Sequence, residues 1–323
     1  MSLQIAFVGT GSYALKHAGM ISAMNDVRVA AFCGTNIGKA EAAAGRWSGA
    51  AAYDNVEEMV ERERPDAVYV CVPPMAHGAI EETLIERGIP FFVEKPLGVE
   101  ASIPERLLSA VQHKRLITSV GYHWRYQDST QRARELLKDC QAGLALGYFM
   151  GALPRVPWWR IQAGSGGQFV EQTTHVTDLL RYLCGEAVEV YAIYNHTVMH
   201  RKVEGVDVPD SGTVTLKLSN GMIATISNTC LLPMGHTSGL HLYTDQGVLE
   251  LQGTELKVCR QSETHEYKNV TDPYLRENEA FLHALRTGDD SGILSSYEDA
   301  VRTHRISMAA NDSAQTGQPV KLK

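Results

Sequence analysis

The clearest chemical signal in the sequence lies near the amino terminus, in the run Gly9-Thr10-Gly11-Ser12-Tyr13-Ala14. Its pattern is G-x-G-x-x-A, in which the first glycine permits a tight turn and the second lets the backbone approach a pyrophosphate. The small third residue lets the following helix pack closely on the preceding strand, so that phosphates meet the helix N-terminus. The run therefore predicts a dinucleotide site, and the alternative is an ordinary strand-to-helix turn.

The end of the second predicted strand bears on which dinucleotide is bound. An acidic residue there would hydrogen-bond the adenosine ribose and repel a 2′-phosphate. The chain instead has Gly34, Thr35 and Asn36, then Lys39, and its first carboxylate after this strand is Glu41. Because the positive charge of Lys39 could balance the negative charge of a 2′-phosphate, we expect NADP(H) in preference to NAD(H). Binding of NAD(H) stays an open alternative. In the alternative, Thr35 and Asn36 only turn the chain.

A carboxylate and an imidazole stand four residues apart, at Glu171 and His175, in a segment that we predict to be helical. This spacing puts both on one helix face. There they could act as a base and its orienting partner, removing a hydroxyl proton as hydride leaves carbon. In the alternatives, His175 is satisfied by a neighbour in the fold, or the two bind a metal. Two ligands leave a zinc site incomplete, and no third has convincing spacing, so we predict no metal.

Aromatic and basic residues in a loop ahead of this helix could form part of a substrate pocket. Trp158, Trp159 and Arg160 follow one another directly. Aromatic faces pack against C–H surfaces, and arginine donates hydrogen bonds, which suits a polyol ring or a cofactor lid. Tyr122 and Arg125 are further candidates of the same kind. The alternative is that these side chains are ordinary core residues.

The first 121 residues alternate between strand and helix patterns. We predict strands at 3–8, 27–33, 67–72, 91–93 and 117–121, with helices between them, which indicates a doubly wound parallel sheet. After this point helices lead into strand-like runs at 146–152, 188–198, 211–218, 222–231, 239–244 and 247–258. Turn signals join several of these runs and favour a mainly antiparallel sheet. We therefore predict a Rossmann domain over 1–121 and an α+β domain for substrate binding and oligomerisation over 122–323.

Composition limits the possible partners. The chain has 323 residues, a net charge of −7 and no basic stripe of the kind that binds nucleic acid. Six scattered cysteines without a C-x-x-C pair predict a reducing compartment. No signal peptide or apolar run of membrane-spanning length is apparent. We expect a cytoplasmic protein with a small-molecule substrate, bound neither to nucleic acid nor to a membrane.

Four motifs, in order along the chain, resemble those of the Gfo/Idh/MocA oxidoreductases, the relatives of glucose–fructose oxidoreductase and inositol dehydrogenase. They are Val70-Cys71-Val72-Pro73-Pro74 with His77, Glu94-Lys95-Pro96, Gly121-Tyr122-His123-Trp124-Arg125-Tyr126, and the run from Gly166 through Glu171 and His175 to Asp178. The resemblance reaches to about residue 185, and the later strands suit the family's antiparallel domain.

The resemblance implies further site residues. Lys95 would lie beside the nicotinamide and bind or polarise the reacting oxygen. An ammonium near the cationic ring should be able to shuttle a proton; the alternative is a surface lysine. Val72, Pro73, Pro74, His77 and Glu94 would border the cofactor. His175 corresponds to the family's histidine, whereas Glu171 stands where most members have aspartate.

We therefore expect an NAD(P)-dependent dehydrogenase or reductase acting on a carbinol/carbonyl pair of a sugar, polyol or similar polyhydroxylated molecule. The alternative from another class is a non-catalytic dinucleotide-binding redox sensor, which would need only the Rossmann half. A Rossmann-like methyltransferase fits the Glu94-Lys95-Pro96 motif and the second sheet less well. Because an antiparallel sheet with one uncovered face commonly packs on another subunit, we expect a homo-oligomer, a dimer or a tetramer.

Overall fold

The structure, a computed structural model, describes residues 2–322 and forms two compact units. The first unit comprises the chain up to Gly98, Ser102–Gly121 and Tyr274–Val301, and the second comprises Val99–Ala101, Tyr122–Pro273 and the chain from Arg302 onward. The sequence-based division into 1–121 and 122–323 therefore differs mainly in Tyr274–Val301. This segment joins the first unit because Phe281 and Leu282 are buried in the same apolar core as Ile5 and Phe7.

The first unit contains a parallel sheet of six strands in the order β3-β2-β1-β4-β5-β6. The strands are β1 (Leu3–Val8), β2 (Val27–Cys33), β3 (Ala51–Tyr53), β4 (Ala67–Val70), β5 (Phe91–Val93) and β6 (Thr118–Val120). The helices between them are α1 (Ser12–Ser22), α2 (Ile37–Ala44), α3 (Val56–Glu63), α4 (Ala79–Arg87) and α5 (Ser102–Lys114). The central strand β4 is buried along its whole length, as expected for a sheet covered on both faces. This order confirms the predicted doubly wound sheet.

The second unit contains a nine-stranded sheet in the order β14-β13-β12-β11-β7-β10-β9-β8-β15. Its strands are β7 (Ala142–Met150), β8 (Ala187–Asn195), β9 (Ser211–Leu218), β10 (Ile223–Thr229), β11 (Thr237–Thr244), β12 (Gly247–Gln252), β13 (Glu255–Cys259), β14 (Thr264–Lys268) and β15 (Val320–Lys321). Its helices are α6 (Asp128–Leu136), α7 (Gln162–Ser165), α8 (Gln168–Glu171), α9 (Thr174–Cys184) and α10 (Met199–Lys202). Two more helices follow the sheet: α11 (Pro273–Thr287), which lies almost wholly in the first unit, and α12 (Tyr297–Thr316), which begins in the first unit and continues in the second.

The pairing in this second sheet is antiparallel except between β10 and β7, which run parallel. One face is apolar: along β9 the side chains of Val214, Leu216 and Leu218 are buried, while those of Thr213, Thr215 and Lys217 are exposed. This alternation is typical of a sheet with one face on the core and one face uncovered. The predicted α+β character of this region is confirmed.

Within residues 2–322, no helix is long and apolar enough to cross a membrane.

Candidate functional site

The glycines of the first motif are placed as a dinucleotide turn requires. Gly9 has φ of +110°, and a Cβ there would lie 2.1 Å from the carbonyl oxygen of Cys71, so only glycine fits between β1 and β4. Gly11 has no atom within 4 Å of where its Cβ would lie, so its backbone faces open space. Ala14 is fully buried, as close packing of α1 on the sheet demands.

The start of α1 fits an anionic group. Gly11 is the N-cap, no side chain caps the helix, and its first turn contains no acidic residue. The first intrahelical bond runs from Leu15 N–H to Gly11 O. The N–H groups of Ser12, Tyr13 and Ala14 precede this bond, so they have no acceptor within the helix. A helix N-terminus of this kind binds phosphate through N–H groups and the helix dipole. These residues could therefore hold the pyrophosphate of a dinucleotide.

Beyond β2, the predicted specificity residues form one small polar surface. The Lys39 ammonium donates to Thr35 Oγ1 at 3.1 Å, and Asn36 Oδ1 accepts the Lys39 backbone N–H at 3.0 Å, so Asn36 caps α2. Thr35 and Lys39 are exposed. Asp54, a carboxylate that the sequence argument did not consider, also lies near this strand end. Burial, and then the charge of Asp54, raise the pKa of Cys33 to about 11.

The segment after β4 turns inward. Val72 and Pro73 lead into a 3-10 turn, Pro74–Ala76, and His77 is buried beyond it. His77 Nδ1 lies 2.6 Å from Glu81 Oε1, while Glu81 Oε2 accepts the Gly78 N–H at 2.7 Å. Burial would raise the pKa of Glu81, but the charge and hydrogen bond of His77 and the Gly78 N–H hold it below its ordinary value. His77 is thus fixed by a carboxylate of the following helix, α4, and its contact with a cofactor stays a prediction.

Glu94 and Lys95 follow β5, with a cis peptide bond between Lys95 and Pro96. Lys95 is half-buried, whereas Glu94 is buried and its Oε1 lies 2.9 Å from Nε2 of His17 in α1. His17, Asn278 and Glu277 were not singled out from the sequence. The only local sign of this cluster in the sequence is a histidine on the apolar side of α1. Its partners in α11 are about 260 residues away, so no local pattern connects them with His17.

In the second unit, His175 stands among aromatic rings. The Trp124 ring stacks on it with centroids 5.1 Å apart, and the rings of His123 and Tyr122 meet it edge-on at 4.9 and 6.0 Å. The Tyr122 hydroxyl also forms a 2.8 Å hydrogen bond with Thr174 Oγ1. His175 is only 8% exposed, so its imidazole is held in one orientation by packing. Such a setting suits a side chain that exchanges a proton at one atom.

Glu171 and His175 do not share one helix, which corrects the basis of the predicted pairing. The predicted helix is divided into α8, which ends at Glu171, and α9, which begins at Thr174. Thr173 N–H donates to Gln168 O, five residues back, and His175 N–H donates to Gln172 O, three residues back, so the helical register shifts here. Glu171 Oε2 accepts the Trp159 indole N–H at 2.6 Å. The separation of four residues along the chain therefore does not place the side chains of Glu171 and His175 on one helix face.

The other predicted substrate residues are mostly interior. The Arg125 guanidinium is 2% exposed and binds Asp178 in bidentate fashion, with bonds of 2.7 and 2.6 Å. Trp159 is buried, Trp158 is half-buried, and Arg160 Nε donates to the Pro154 carbonyl at 3.3 Å. Thr303 also donates to Asp178, at 2.8 Å. Arg125 therefore belongs to a buried, bidentate ion pair within the second unit.

Comparison with known proteins agrees with this arrangement. Residues 3–122 match the model of the oxidoreductase family with an NAD-binding Rossmann fold, and residues 131–250 match the GFO/IDH/MocA C-terminal domain. The chain is 21% identical to myo-inositol 2-dehydrogenase of Thermotoga maritima, over 99% of each chain. It is 24% identical to D-xylose 1-dehydrogenase (NADP(+)) 2 of Haloferax volcanii, over 99% of this chain and 100% of that one.

A solved structure shares the fold. The WlbA dehydrogenase from Bordetella pertussis, in complex with NADH and UDP-GlcNAcA, superimposes with a TM-score of 0.87 at 18% identity, covering 100% of this chain and 99% of that one. Both family models match in the expected order, and the glycine turn and the two sheets are those that such a chain needs. The protein therefore belongs to the Gfo/Idh/MocA family of NAD-binding oxidoreductases.

Proposed function

We propose that the protein is a dehydrogenase or reductase that transfers hydride between a nicotinamide dinucleotide and a CH–OH carbon of a sugar, a polyol or a similar molecule. The observation that carries this proposal is the start of α1, where Gly9 and Gly11 clear the backbone and an uncapped helix end offers N–H groups to a pyrophosphate. The names of the relatives, which include inositol and xylose dehydrogenases, support the substrate class.

The proton on the substrate oxygen needs side chains that can take it up. A bound nicotinamide supplies or accepts the hydride. We assign Lys95 to the reacting oxygen, which its ammonium would bind and polarise, and His175 to the proton removed from the hydroxyl. Glu171 would orient this site through its bond with Trp159. Trp158 and Arg160, which are partly exposed, are assigned to substrate contact.

For the cofactor we propose a preference for NADP(H). Thr35 and Lys39 are exposed and bonded to one another after β2, where they could receive a 2′-phosphate. Asp54 near Cys33 is the group that opposes this assignment, because its negative charge would repel a phosphate. The relative strength of these two charges decides the preference.

The direct test is a cofactor titration followed by turnover. Quenching of protein fluorescence measures the dissociation constants of NADPH and NADH, and a panel of inositols, aldoses and glycosides is then screened for reduction of NADP⁺ or NAD⁺. The proposal predicts reduction with at least one polyhydroxylated substrate. Tight cofactor binding without oxidation of any compound would instead favour the redox sensor.

We also propose that the chain forms a homo-oligomer through the uncovered face of its second sheet. Large apolar side chains are exposed on this face, among them Ile193 at 61% and Ile223 at 53%.

All six cysteines are free thiols, which supports a reducing, cytoplasmic setting.

A further inference from the structure

A buried histidine behind Glu94 supports a further inference, which rests on the proposed function of Lys95. His17 in α1 is 0% exposed, and both of its ring nitrogens face oxygen atoms. Nδ1 lies 3.0 Å from Asn278 Oδ1 in α11, and Nε2 lies 2.9 Å from Glu94 Oε1. The ring is also enclosed by Tyr69, Phe92 and Tyr274, at centroid distances of 5.5, 4.9 and 5.9 Å.

The orientation of the Asn278 amide determines where the protons lie. Its Nδ2 donates to the Tyr274 carbonyl at 2.7 Å, so Oδ1 is the atom that faces His17. An amide oxygen only accepts hydrogen bonds, and therefore Nδ1 of His17 carries a hydrogen. A neutral imidazole has one N–H, so its Nε2 would present a lone pair to the carboxylate of Glu94. Two acceptors at 2.9 Å repel each other, and a second proton must lie between them.

We propose that His17 and Glu94 share this proton and together form a positioning unit for Lys95, the residue that follows Glu94. With the proton, the pair is neutral overall, whether the proton sits on nitrogen or on oxygen. Without it, a buried negative charge would stand one residue from the lysine that acts on the substrate oxygen. Since a neighbouring charge alters how readily an ammonium gives up its proton, the shared proton controls the acidity available at the reacting oxygen.

The groups around the pair favour retention of the proton. Glu277 in α11 is fully buried, and one of its carboxylate oxygens lies within 4.8 Å of a ring nitrogen of His17 and a carboxylate oxygen of Glu94. Two buried carboxylates so close together disfavour a second negative charge. Burial, and then the charges of Glu94 and Glu277, hold the pKa of Cys71 well above its usual range, so this thiol stays neutral.

Two tyrosines beside this pair also stay neutral. Burial, followed by the charge of Glu277, holds the pKa of Tyr69 well above its usual range. Burial, followed by the charges of Tyr13 and Glu94, raises the pKa of Tyr274. Lys16 lies over the Tyr274 ring, 3.1 Å from its centroid, and is the cation next to this cluster on α1.

The position of the other carboxylate oxygen of Glu94, Oε2, depends on the absence of a side chain at Gly121. A Cβ at Gly121 would lie 2.6 Å from Glu94 Oε2 and 2.9 Å from its carboxyl carbon. Gly121 does not have a positive φ, so the backbone would accept alanine, and the space taken by Glu94 is the reason for glycine. Gly121→Ala is therefore a way to displace Glu94 without changing any charged group.

The first test does not depend on turnover. ¹⁵N and ¹³C NMR of the full chain records the ring nitrogens of His17 and the carboxyl carbon of Glu94, in the wild type and in Glu94→Gln. The side-chain amide that this substitution introduces can donate to a neutral imidazole, so the extra proton is no longer needed. Above about pH 8, where an ordinary histidine is neutral, we expect the wild-type pair to retain one proton more than the variant. A neutral ring beside an ionised carboxylate, or a stoichiometric metal ion in the purified protein, would overturn the proposal.

The second test measures the effect on Lys95. His17→Gln and Gly121→Ala should each lower kcat by about 10- to 100-fold, as loss of an orienting partner does elsewhere, and should move the pH profile of kcat. The dissociation constant of the cofactor should change by less than about threefold, well under 1 kcal/mol. Gly19→Ala on the exposed side of α1 has open space around its Cβ and is the matched control.

The two tests separate this inference from the proposed function. An unchanged pH profile in a folded His17→Gln protein rejects the positioning role. If Lys95→Ala retains full turnover, the assignment of Lys95 fails, whereas the NMR result on the proton still stands. If His17→Gln does not fold, Gly121→Ala and the NMR comparison decide.

Discussion

The Trp159 indole N–H donates a 2.6 Å hydrogen bond to Oε2 of Glu171. Trp159 is 1% exposed and packs with Val206, Val208 and Cys230, so the donor is held by the core of the second unit. A carboxylate that accepts from a fixed indole is itself fixed. The tryptophan that the sequence suggested for a sugar ring thus orients Glu171, and the longer glutamate side chain is what reaches it.

This contact gives the first prediction. If Glu171 and His175 serve one step, then Glu171→Ala and His175→Ala should each lower kcat by about 10²- to 10⁴-fold, and the double variant should lose less than the two effects combined. Trp159→Phe removes the N–H together with part of the buried ring, so in a variant that keeps the wild-type melting temperature it should reproduce part of the Glu171→Ala defect. Steady-state kinetics of the four variants and the wild type measures these losses in kcat. Strictly additive losses, with full activity in Trp159→Phe, would mean that the two residues act independently.

Glu171→Asp refines the same question. The family resemblance implies aspartate at this position, but its shorter side chain should lose the bond to Trp159. We therefore expect reduced kcat with an unchanged melting temperature. Full activity in this variant would show that the Trp159 contact is dispensable.

The second prediction concerns Lys95. Lys95→Ala should keep the fold and the affinity for the cofactor while lowering turnover by about two to four orders of magnitude, the usual effect of a positioned proton-transfer group. The measurements are kcat, the dissociation constant of the cofactor and the melting temperature. Lys114→Ala, which removes an exposed lysine bonded to the Glu86 carbonyl, is a control for loss of a positive charge from the first unit. Near-normal turnover in a folded Lys95→Ala protein would remove Lys95 from the mechanism.

The third prediction tests the cofactor preference. Thr35→Asp places a carboxylate beside the proposed 2′-phosphate and should weaken NADPH binding about tenfold or more, by roughly 1.4 kcal/mol, with a smaller effect on NADH. Asp54→Asn should act in the opposite sense and improve NADPH binding, because it removes the charge near Cys33. Both are measured by fluorescence titration at one ionic strength. Tighter binding of NADH by the wild type would contradict the assignment of Thr35 and Lys39.

The fourth prediction is a pH dependence of stability. The pKa of Glu81 is lowered in the folded protein from an ordinary value of 4.5. A lowered carboxyl pKa contributes stability that is complete above the ordinary value and is lost as the pH falls through the folded one. Glu81→Gln should therefore reduce the free energy of unfolding at neutral pH, by about 1–3 kcal/mol for a buried charged hydrogen bond. The difference from wild type should shrink below about pH 4. Equal destabilisation at every pH would show that the carboxylate charge is not involved.

Much of the fold follows from local patterns, and its exceptions have physical causes. The strands β1, β2 and β5 begin and end where predicted, because each is an apolar run bounded by turn residues. The strand Ala51–Tyr53 was missed because three residues show no periodicity. The strand Thr264–Lys268 was missed because it is polar and mostly exposed at a sheet edge. The segment 247–258 was read as one strand but is two, with a turn at Gly253, whose φ is +58°.

The site divides in the same way. The glycine turn could be predicted, since its geometry depends on residues adjacent in sequence. The break between Glu171 and Thr174 could not, because both sides of it favour helix. The partners of His17 could not be predicted either: Glu94 is 77 residues away and Asn278 is 261 residues away, and only tertiary structure brings them together.

The fifth prediction concerns the uncovered face of the second sheet. Tyr191 and Ile193 of β8 and Ile223 of β10 are exposed beside the paired Thr213, Thr215 and Lys217 of β9, so all lie on one face. Towards β12 and β13 the same face carries charges, with Glu250 and Lys257 in a 3.8 Å ion pair. An apolar patch with a polar border is typical of a protein–protein interface.

We therefore expect a dimer or a tetramer in solution, and Ile193→Lys with Ile223→Lys should shift it towards the monomer, because a buried unpaired charge opposes association. Light scattering after size-exclusion chromatography measures the mass at several protein concentrations. Val270→Lys is the matched control, since Val270 is 92% exposed outside the sheet strands and its substitution should leave the mass unchanged. If the double variant keeps the wild-type oligomer, another surface holds the subunits together. If the wild type is a monomer at every concentration, the exposed isoleucines need a different explanation.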